Sequence, residues 1–345
     1  MAAITIIGAG MMGSAMSVPA RDNGHQVRLV GTHLDREIIQ TLRKDSIHPK
    51  MKRKLPDGIE FFQIEQADAA LAGANLVICG VSSFGIDWFA DEMLRILPHG
   101  VPLLAVTKGL ALLPDQSVRT FPEVFEQTAK PGCSVNAIGG PCTSYELCDR
   151  HQTHVAFCGK NQTVLRKLRD LLQTKYYHIS LTDDVLGVEA AVALKNAYAL
   201  GVSLAIGLAE QAGGENGAPH YNSQAALFGQ SVREMEKLVL FLGGRRESVS
   251  FGVGDLYVTI FGGRTRLLGT MLGRGRTFGQ AMEALSGVTL ESVAITSRIA
   301  AAVRALSDQE KLAAGDFPLL FHIHEIIEKG RTVEIPWERF AKGEG

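Results

Sequence analysis

The stretch from Gly187 to Leu208, GVEAAVALKNAYALGVSLAIGL, leaves the chain little choice of conformation or place. It is apolar on every face, which predicts a helix enclosed by protein on all sides. Yet Glu189, Lys195, Asn196 and Ser203 stand among its alanines, leucines and valines. At about 100° per residue, Glu189, Asn196 and Ser203 share one narrow stripe with Lys195 beside it, so a polar seam crosses an otherwise dry helix. Burying an ammonium is costly unless it is paired or neutralised. Two readings of Lys195 fit: a structural lysine that carries its head to the surface or closes an ion pair, and a desolvated lysine poised as acid, base or nucleophile. A membrane span is disfavoured, because each charge would cost roughly 2.5–3.5 kcal/mol at mid-bilayer and no second span accompanies it.

At 345 residues, with 46% hydrophobic and 21% charged content, the chain exceeds the usual size of a single domain, and two domains are expected. A net charge of -1 argues against a nucleic-acid partner. The basic run KMKRK, Lys50 to Lys54, reads more readily as a solvated loop than as a polyanion site. Five cysteines, odd in number and without C-x-x-C spacing, predict neither a disulfide framework nor a metal site. Reduced thiols, and a first segment without a signal-peptide pattern, lead to the expectation of a cytoplasmic protein.

Ile4 to Ile7 is a short apolar run that breaks into Gly8-Ala9-Gly10-Met11-Met12-Gly13 and then a helical segment ending at Asp22-Asn23-Gly24. A second strand follows at Gln26 to Val30, which completes a βαβ unit with G-x-G-x-x-G where a strand feeds a helix. Gly8 permits the turn, Gly10 the approach of a pyrophosphate, and Gly13 the packing of helix on strand. Met11 and Met12 join these glycines as candidate cofactor contacts. Further strands at Ile59 to Phe62, Leu76 to Val81, Val101 to Thr107 and Ser134 to Ile138 continue the alternation of a doubly wound, mostly parallel sheet. Ligands bind at the carboxyl ends of such strands, where Ser82 and Lys108 stand.

After Thr182-Asp183-Asp184 the alternation stops, and the rest reads as helical. The buried helix comes first, then a glycine-rich loop at Gly213 to Gly217, an amphipathic segment from Gln224 to Leu242, and helices near Arg276 to Leu285 and Ser292 to Leu306. The expected domains are therefore residues 1–183, binding a nucleotide, and 184–345, offering Lys195 across a cleft. Asp255, an acid among apolar neighbours, is the counter-charge available to Lys195. Arg264 follows Gly262-Gly263 and sets a guanidinium beside backbone amides, an arrangement suited to a phosphate.

ALKNAYA at 193–199, TKGL at 107–110, GVGDLYVT at 252–259 and GGR at 262–264, behind GAGMMG, resemble the NAD(P)-dependent sn-glycerol-3-phosphate dehydrogenases. The resemblance covers most of the chain in order and spacing. It implies an N-terminal Rossmann domain joined to an all-helical domain, a homodimer, and reversible reduction of dihydroxyacetone phosphate to sn-glycerol 3-phosphate for glycerophospholipid synthesis. It also implies that Lys195 is the catalytic lysine, with Asp255 and Lys108 beside it. Lys108, Asn196, Thr259, Thr265 and Asn222 fall at substrate positions, Arg264 matches the phosphate-binding arginine and is also a candidate cofactor contact, and Glu291 matches an acid near the cofactor. The chain departs from the family in four places: Thr265 replaces an asparagine after Arg264, GGENGAPHY replaces a short glycine turn before Asn222, Cys142 replaces a serine after Gly140-Pro141, and Ser292 replaces a glycine after Glu291. Two other functions suit the same scaffold: a reductase of another small 2-oxo or phosphorylated hydroxyketone, and a sensor of nicotinamide nucleotides that performs no chemistry. Binding a nucleotide does not need Lys195, Asp255 and Arg264 together, which speaks against the sensor.

The choice of nucleotide turns on the end of the second strand. An NAD-selective site places an acid there to hold the ribose hydroxyls. Here the strand ends Val30-Gly31-Thr32-His33, with no acid until Asp35. Thr32 and His33 are read as donors to a 2′-phosphate, with Arg36 or KMKRK supplying charge, so NADP is expected in preference to NAD. The alternative has Asp35 curling back to the ribose.

Overall fold

The computed structural model describes residues 1–112, 118–213, 218–288 and 290–340, so that most of the expected loop at Gly213 to Gly217 lies outside the described residues. The chain forms two compact units, one of Met1–Gly109 with Thr120–Glu189, the other of Leu110–Arg119 with Ala190–Gly345. This division differs from a single break after residue 183. Leu110 and Val118 pack into the helical core, which takes their segment with it. At the other junction Asp184 Oδ1 accepts the Gly187 N–H at 3.0 Å, and the first turn of the long helix stays with the sheet unit.

The first unit is built on eight strands: β1 (Ala3–Ile7), β2 (Gln26–Val30), β3 (Ile59–Phe62), β4 (Leu76–Cys79), β5 (Leu103–Ala105), β8 (Val135–Gly139), β9 (Thr153–Gly159) and β10 (Tyr177–Thr182). Two further short strands, β6 (Leu110–Leu112) and β7 (Val118–Thr120), pair apart from this sheet. The sheet order is β10-β9-β8-β5-β4-β1-β2-β3. β1 lies between β2 and β4 and is parallel to both, with Ile4 opposite Val27 on one side and Leu76 on the other. The chain thus winds outward through β2 and β3 and returns to the far side of β1. That reversal opens a crevice at the carboxyl ends of β1 and β4. Every residue of β4 is buried, as a strand covered on both faces requires. β9 runs antiparallel to β8, and β10 pairs parallel to β9 to finish the edge.

In the second unit the helix Val185–Gly213 is surrounded by helices at Tyr221–Phe241, Arg246–Ile260, Gly263–Gly273, Phe278–Ala284, Glu291–Asp308 and Pro318–Lys329. The long helix has the length and hydropathy to cross a bilayer, but 78% of its most apolar window is buried in protein, as in the core of a soluble protein. Small residues let its neighbours touch its backbone. A Cβ on Gly273 would stand 2.2 Å from Leu204 O, and one on Gly252 would stand 2.6 Å from Ala191 O. GVGDLYVT forms the C-terminal half of the helix Arg246–Ile260. The contact of Gly252 with Ala191 sets Asp255 and Lys195, each about one turn further along its own helix, against each other.

Glu234 ties two of these helices end to side. Its carboxylate accepts the Leu319 and Leu320 N–H groups at 2.8 and 3.0 Å, the free donors at the start of Pro318–Lys329, and Gln230 Nε2 at 2.8 Å. Burial pushes its carboxyl up to about 7, against the pull of these donors. Glu234→Ala is expected to leave two buried amides without a partner and to lower stability by about 2–4 kcal/mol. Denaturant unfolding of both proteins measures this, and an unchanged midpoint would show that the cap is dispensable.

Candidate active site

The glycine turn after β1 is packed to the limit of backbone contact. Gly8 has φ +111° and lies where a Cβ would stand 2.6 Å from the Gly80 carbonyl carbon, while a Cβ on Gly13 would stand 2.2 Å from Gly8 O. Both glycines are required by the chain's own packing. Gly10 is not: a Cβ there would come no nearer to the protein than 3.9 Å, from Gly80 O. Space left open beside a backbone at φ -64°, at the start of a helix without a side-chain cap, fits the approach of a ligand phosphate. Met11 is exposed beyond it with Tyr145 Oη at 3.6 Å from its sulfur, and Met12 packs inward on the sheet core. Ser82 stands exposed just after β4.

At the end of β2 Thr32, read as a donor to a 2′-phosphate, is bonded to Asp35. Asp35 folds back, and its Oδ2 accepts Thr32 N–H at 2.9 Å, the Thr32 hydroxyl at 2.8 Å and Ala9 N–H at 3.1 Å. The threonine hydroxyl hydrogen is thus committed inside the protein. The sequence signal was present, since Thr-x-x-Asp is the spacing of a local side-chain cap. Arg36 pairs with Glu65, Arg53 with Asp149 at 2.8 Å and Lys54 with Asp57 at 3.2 Å, so these basic groups have acidic partners of their own. His33 is exposed and meets Trp88 edge to face with ring centroids 5.6 Å apart.

In the helical unit Lys195 Nζ lies 2.6 Å from Asp255 Oδ1, with 16% of the lysine side chain and 2% of the aspartate accessible. The pair is almost dry, and removing either member would strand a charge. Thr259, one turn beyond Asp255, donates its hydroxyl back to Asp255 O at 2.7 Å. Asn196 Nδ2 donates to Glu291 Oε2 at 3.4 Å, which puts Glu291, expected among cofactor contacts, beside a candidate substrate group. Arg264 is exposed in the first turn of Gly263–Gly273, behind Gly262 and a Gly263 with φ +84°. Thr265 is turned inward at 9% exposure, whereas Asn222 is exposed in the first turn of Tyr221–Phe241.

Lys108 follows β5 in the sheet unit and donates from Nζ to Gly140 O at 2.7 Å. Near it, Glu189 is wholly buried, and neither of its carboxylate oxygens has a well-formed hydrogen bond. Burial pushes its carboxyl up to about 8, with the Lys108 charge and the Gly109 amide opposing. Glu189 stood out in the sequence as an acid in an apolar helix, but its neighbourhood with Lys108 depends on folding and no local pattern announces it.

Residues 3–165 match the family model described as the N-terminus of NAD-dependent glycerol-3-phosphate dehydrogenase, and residues 184–338 match the model of its C-terminus. The NADP(+)-dependent glycerol-3-phosphate dehydrogenase of Archaeoglobus fulgidus is 34% identical over 337 residues, which is 96% of each chain. The glycerol-3-phosphate dehydrogenase [NAD(P)+] of Geobacillus kaustophilus is 28% identical across 92% of this chain and 90% of its own. A crystal structure of glycerol-3-phosphate dehydrogenase from Coxiella burnetii superposes with a TM-score of 0.79 at 24% identity, covering 98% of this chain and 97% of that one, and shares the fold.

Glu189 also predicts a dependence of stability on pH. A carboxyl raised from 4.5 to about 8 holds its proton more tightly folded than unfolded. Its contribution to stability is full below 4.5 and is lost as pH rises through 8. Glu189→Gln, which cannot ionise, is expected to gain a few kcal/mol relative to wild type between acidic and mildly alkaline pH. Parallel pH profiles of unfolding for the two proteins would contradict this.

Proposed function

The chain belongs to the NAD-dependent glycerol-3-phosphate dehydrogenase family, and on that premise we propose that it reduces dihydroxyacetone phosphate to sn-glycerol 3-phosphate, reversibly, with NAD(P)H. The observation that carries the catalytic part is the nearly dry Lys195–Asp255 pair. Gly8, Gly10, Gly13 and the start of the helix at Met11 would hold the nucleotide, which supplies a hydride to the ketone carbon when bound. As the carbonyl becomes an alcohol its oxygen needs a proton, and the Lys195 ammonium is the donor. In the reverse direction the same nitrogen takes the proton back. Asp255 neutralises and aims that ammonium, and Thr259 follows it on the same helix face. Arg264, at a helix start just after two glycines, is suited to grip the substrate phosphate through its guanidinium and the neighbouring amides. Asn196, Lys108 and Asn222 are assigned to the substrate as well.

The proposal extends to NADPH in preference to NADH. The Archaeoglobus relative is named for NADP(+). Asp35 Oδ2 is already occupied by Ala9 and Thr32, and the exposed His33 is the side chain left at the strand end to meet a 2′-phosphate. A cytoplasmic homodimer that feeds glycerophospholipid synthesis completes the reading, on family resemblance.

Lys195→Ala is expected to lower turnover by roughly 10²-fold to 10⁴-fold while the protein stays folded. Near-normal turnover in a variant with the circular dichroism of wild type would remove Lys195 from the chemistry. Titration with each reduced nucleotide should show NADPH binding more tightly, with the margin shrinking as salt is added. Tighter NADH binding at every ionic strength, with a higher kcat/KM, would reverse the assignment.

A further inference from the structure

The Ala9 peptide units in the centre of the glycine turn are held by side chains that G-x-G-x-x-G does not include. The Ala9 N–H donates to Asp35 Oδ2 at 3.1 Å. The Ala9 carbonyl oxygen lies 3.0 Å from His48 Nε2 and accepts from Ser14 Oγ at 3.2 Å. His48 comes from the segment just before the basic run and is wholly buried. Its other ring nitrogen, Nδ1, accepts the Met51 N–H at 3.1 Å. An imidazole nitrogen that accepts carries no hydrogen, so the ring hydrogen sits on Nε2 and points at Ala9 O. Burial lowers the tendency of this imidazole to take a second proton and favours the neutral form that the arrangement needs.

The segment that delivers His48 is itself locked. His48 N–H donates to Arg53 O at 2.9 Å, and Lys52 N–H donates to His48 O at 2.7 Å. Met51 is 1% exposed, with its sulfur 3.6 Å from Cys148 Sγ. Arg53 grips both oxygens of Asp149 at 2.8 and 3.0 Å. KMKRK thus builds a fastened loop under the glycine turn.

In a trans peptide the carbonyl and the following N–H point in opposite directions. Drawing Ala9 O toward His48 therefore aims the Gly10 N–H away from the protein, at the glycine whose Cβ position is open. We propose that His48 is a positioning residue for the dinucleotide, pinning the Ala9 carbonyl so that the Gly10 N–H is preset to receive the pyrophosphate of NAD(P)H. This rests on the glycine turn being the nucleotide site, as proposed above. Because the pyrophosphate is common to both nucleotides, the pin acts equally on NADH and NADPH, whereas a group at the ribose end would discriminate between them.

Two substitutions separate the pin from the loop. His48→Asn keeps an oxygen near the position of Nδ1 for the Met51 N–H, but is too short to reach Ala9 O. His48→Gln carries an amide N–H to the position of Nε2 and gives up the bond to Met51. Fluorescence titration with NADH and NADPH, the KM for dihydroxyacetone phosphate at saturating nucleotide, and the thermal midpoint are measured on each. His48→Asn is expected to weaken both nucleotides by about tenfold with an unchanged substrate KM, and His48→Gln to stay within about threefold of wild type. A merely structural histidine would give the reverse order, since Gln forfeits the loop bond. That inversion, or equal affinity in all three proteins, overturns the proposal. Should His48→Asn not fold, His48→Met, of the length of Gln but without a donor, takes its place: weaker binding of both nucleotides than in His48→Gln supports the pin, and equal binding in the two refutes it. A wild-type protein that bound neither nucleotide would instead remove the glycine turn as the site.

Discussion

The Lys195–Asp255 pair depends on one close contact, the backbone of Gly252 against that of Ala191. Any side chain at residue 252 would push the two helices apart, and with them Asp255 and Lys195, whose charges lie 2.6 Å apart, the aspartate buried and the lysine partly so. An ion pair so enclosed is a poor source of net stability, because the desolvation of both groups offsets much of their attraction. It is a good source of orientation. An ammonium held against a buried carboxylate has few alternative directions, which is what a proton donor to a developing alkoxide requires.

Much of the framework was legible because it follows from periodicity and turn chemistry. Gln26–Val30 and Ile59–Phe62 are strands over the residues that their apolar runs mark. The long helix extends to Val185–Gly213, somewhat beyond the apolar core that announced it. The strand Leu103–Ala105 is shorter than its run from Val101 to Thr107, although Val106 N–H still donates to Cys79 O at 3.1 Å. Illegible features were those set by tertiary contact. Nothing in GVGDLYVT tells a helix from a loop until Gly252 is seen against Ala191. That Leu110–Arg119 leaves the unit on either side of it, and that β9 reverses direction beside β8, are equally beyond any local pattern.

The candidate site divides along the same line. Lys195 and Asp255 were found as charges out of place, a signal that burial makes strong. Asp35 reads in the sequence as a ribose ligand, although its spacing from Thr32 also fits a local cap, the bond that it makes. His48 gave no signal at all, being a histidine before a proline in a basic, loop-like stretch. Asp35, His48 and Glu234 bond backbone, and their work is to aim peptide groups. Such residues escape motif-based reading because the motif describes the backbone that they hold, while they arrive from elsewhere in the chain.

The helix Val185–Gly213 carries Glu189, Lys195, Asn196 and Ser203 without interruption. Each residue of an α-helix advances the azimuth by about 100°, so inserting or deleting one residue between Glu189 and Lys195 would swing every later group by more than a quarter turn. Ala191 would part from Lys195 in register, and the glycine contacts at Leu204 and Gly207 would meet the wrong faces. Point changes can drift along this helix, but length changes cannot. Insertions and deletions that accumulate in descendants of this chain should therefore be confined to the connections between helices, leaving the spacing from Glu189 to Gly207 as a ruler against which distant relatives can be aligned.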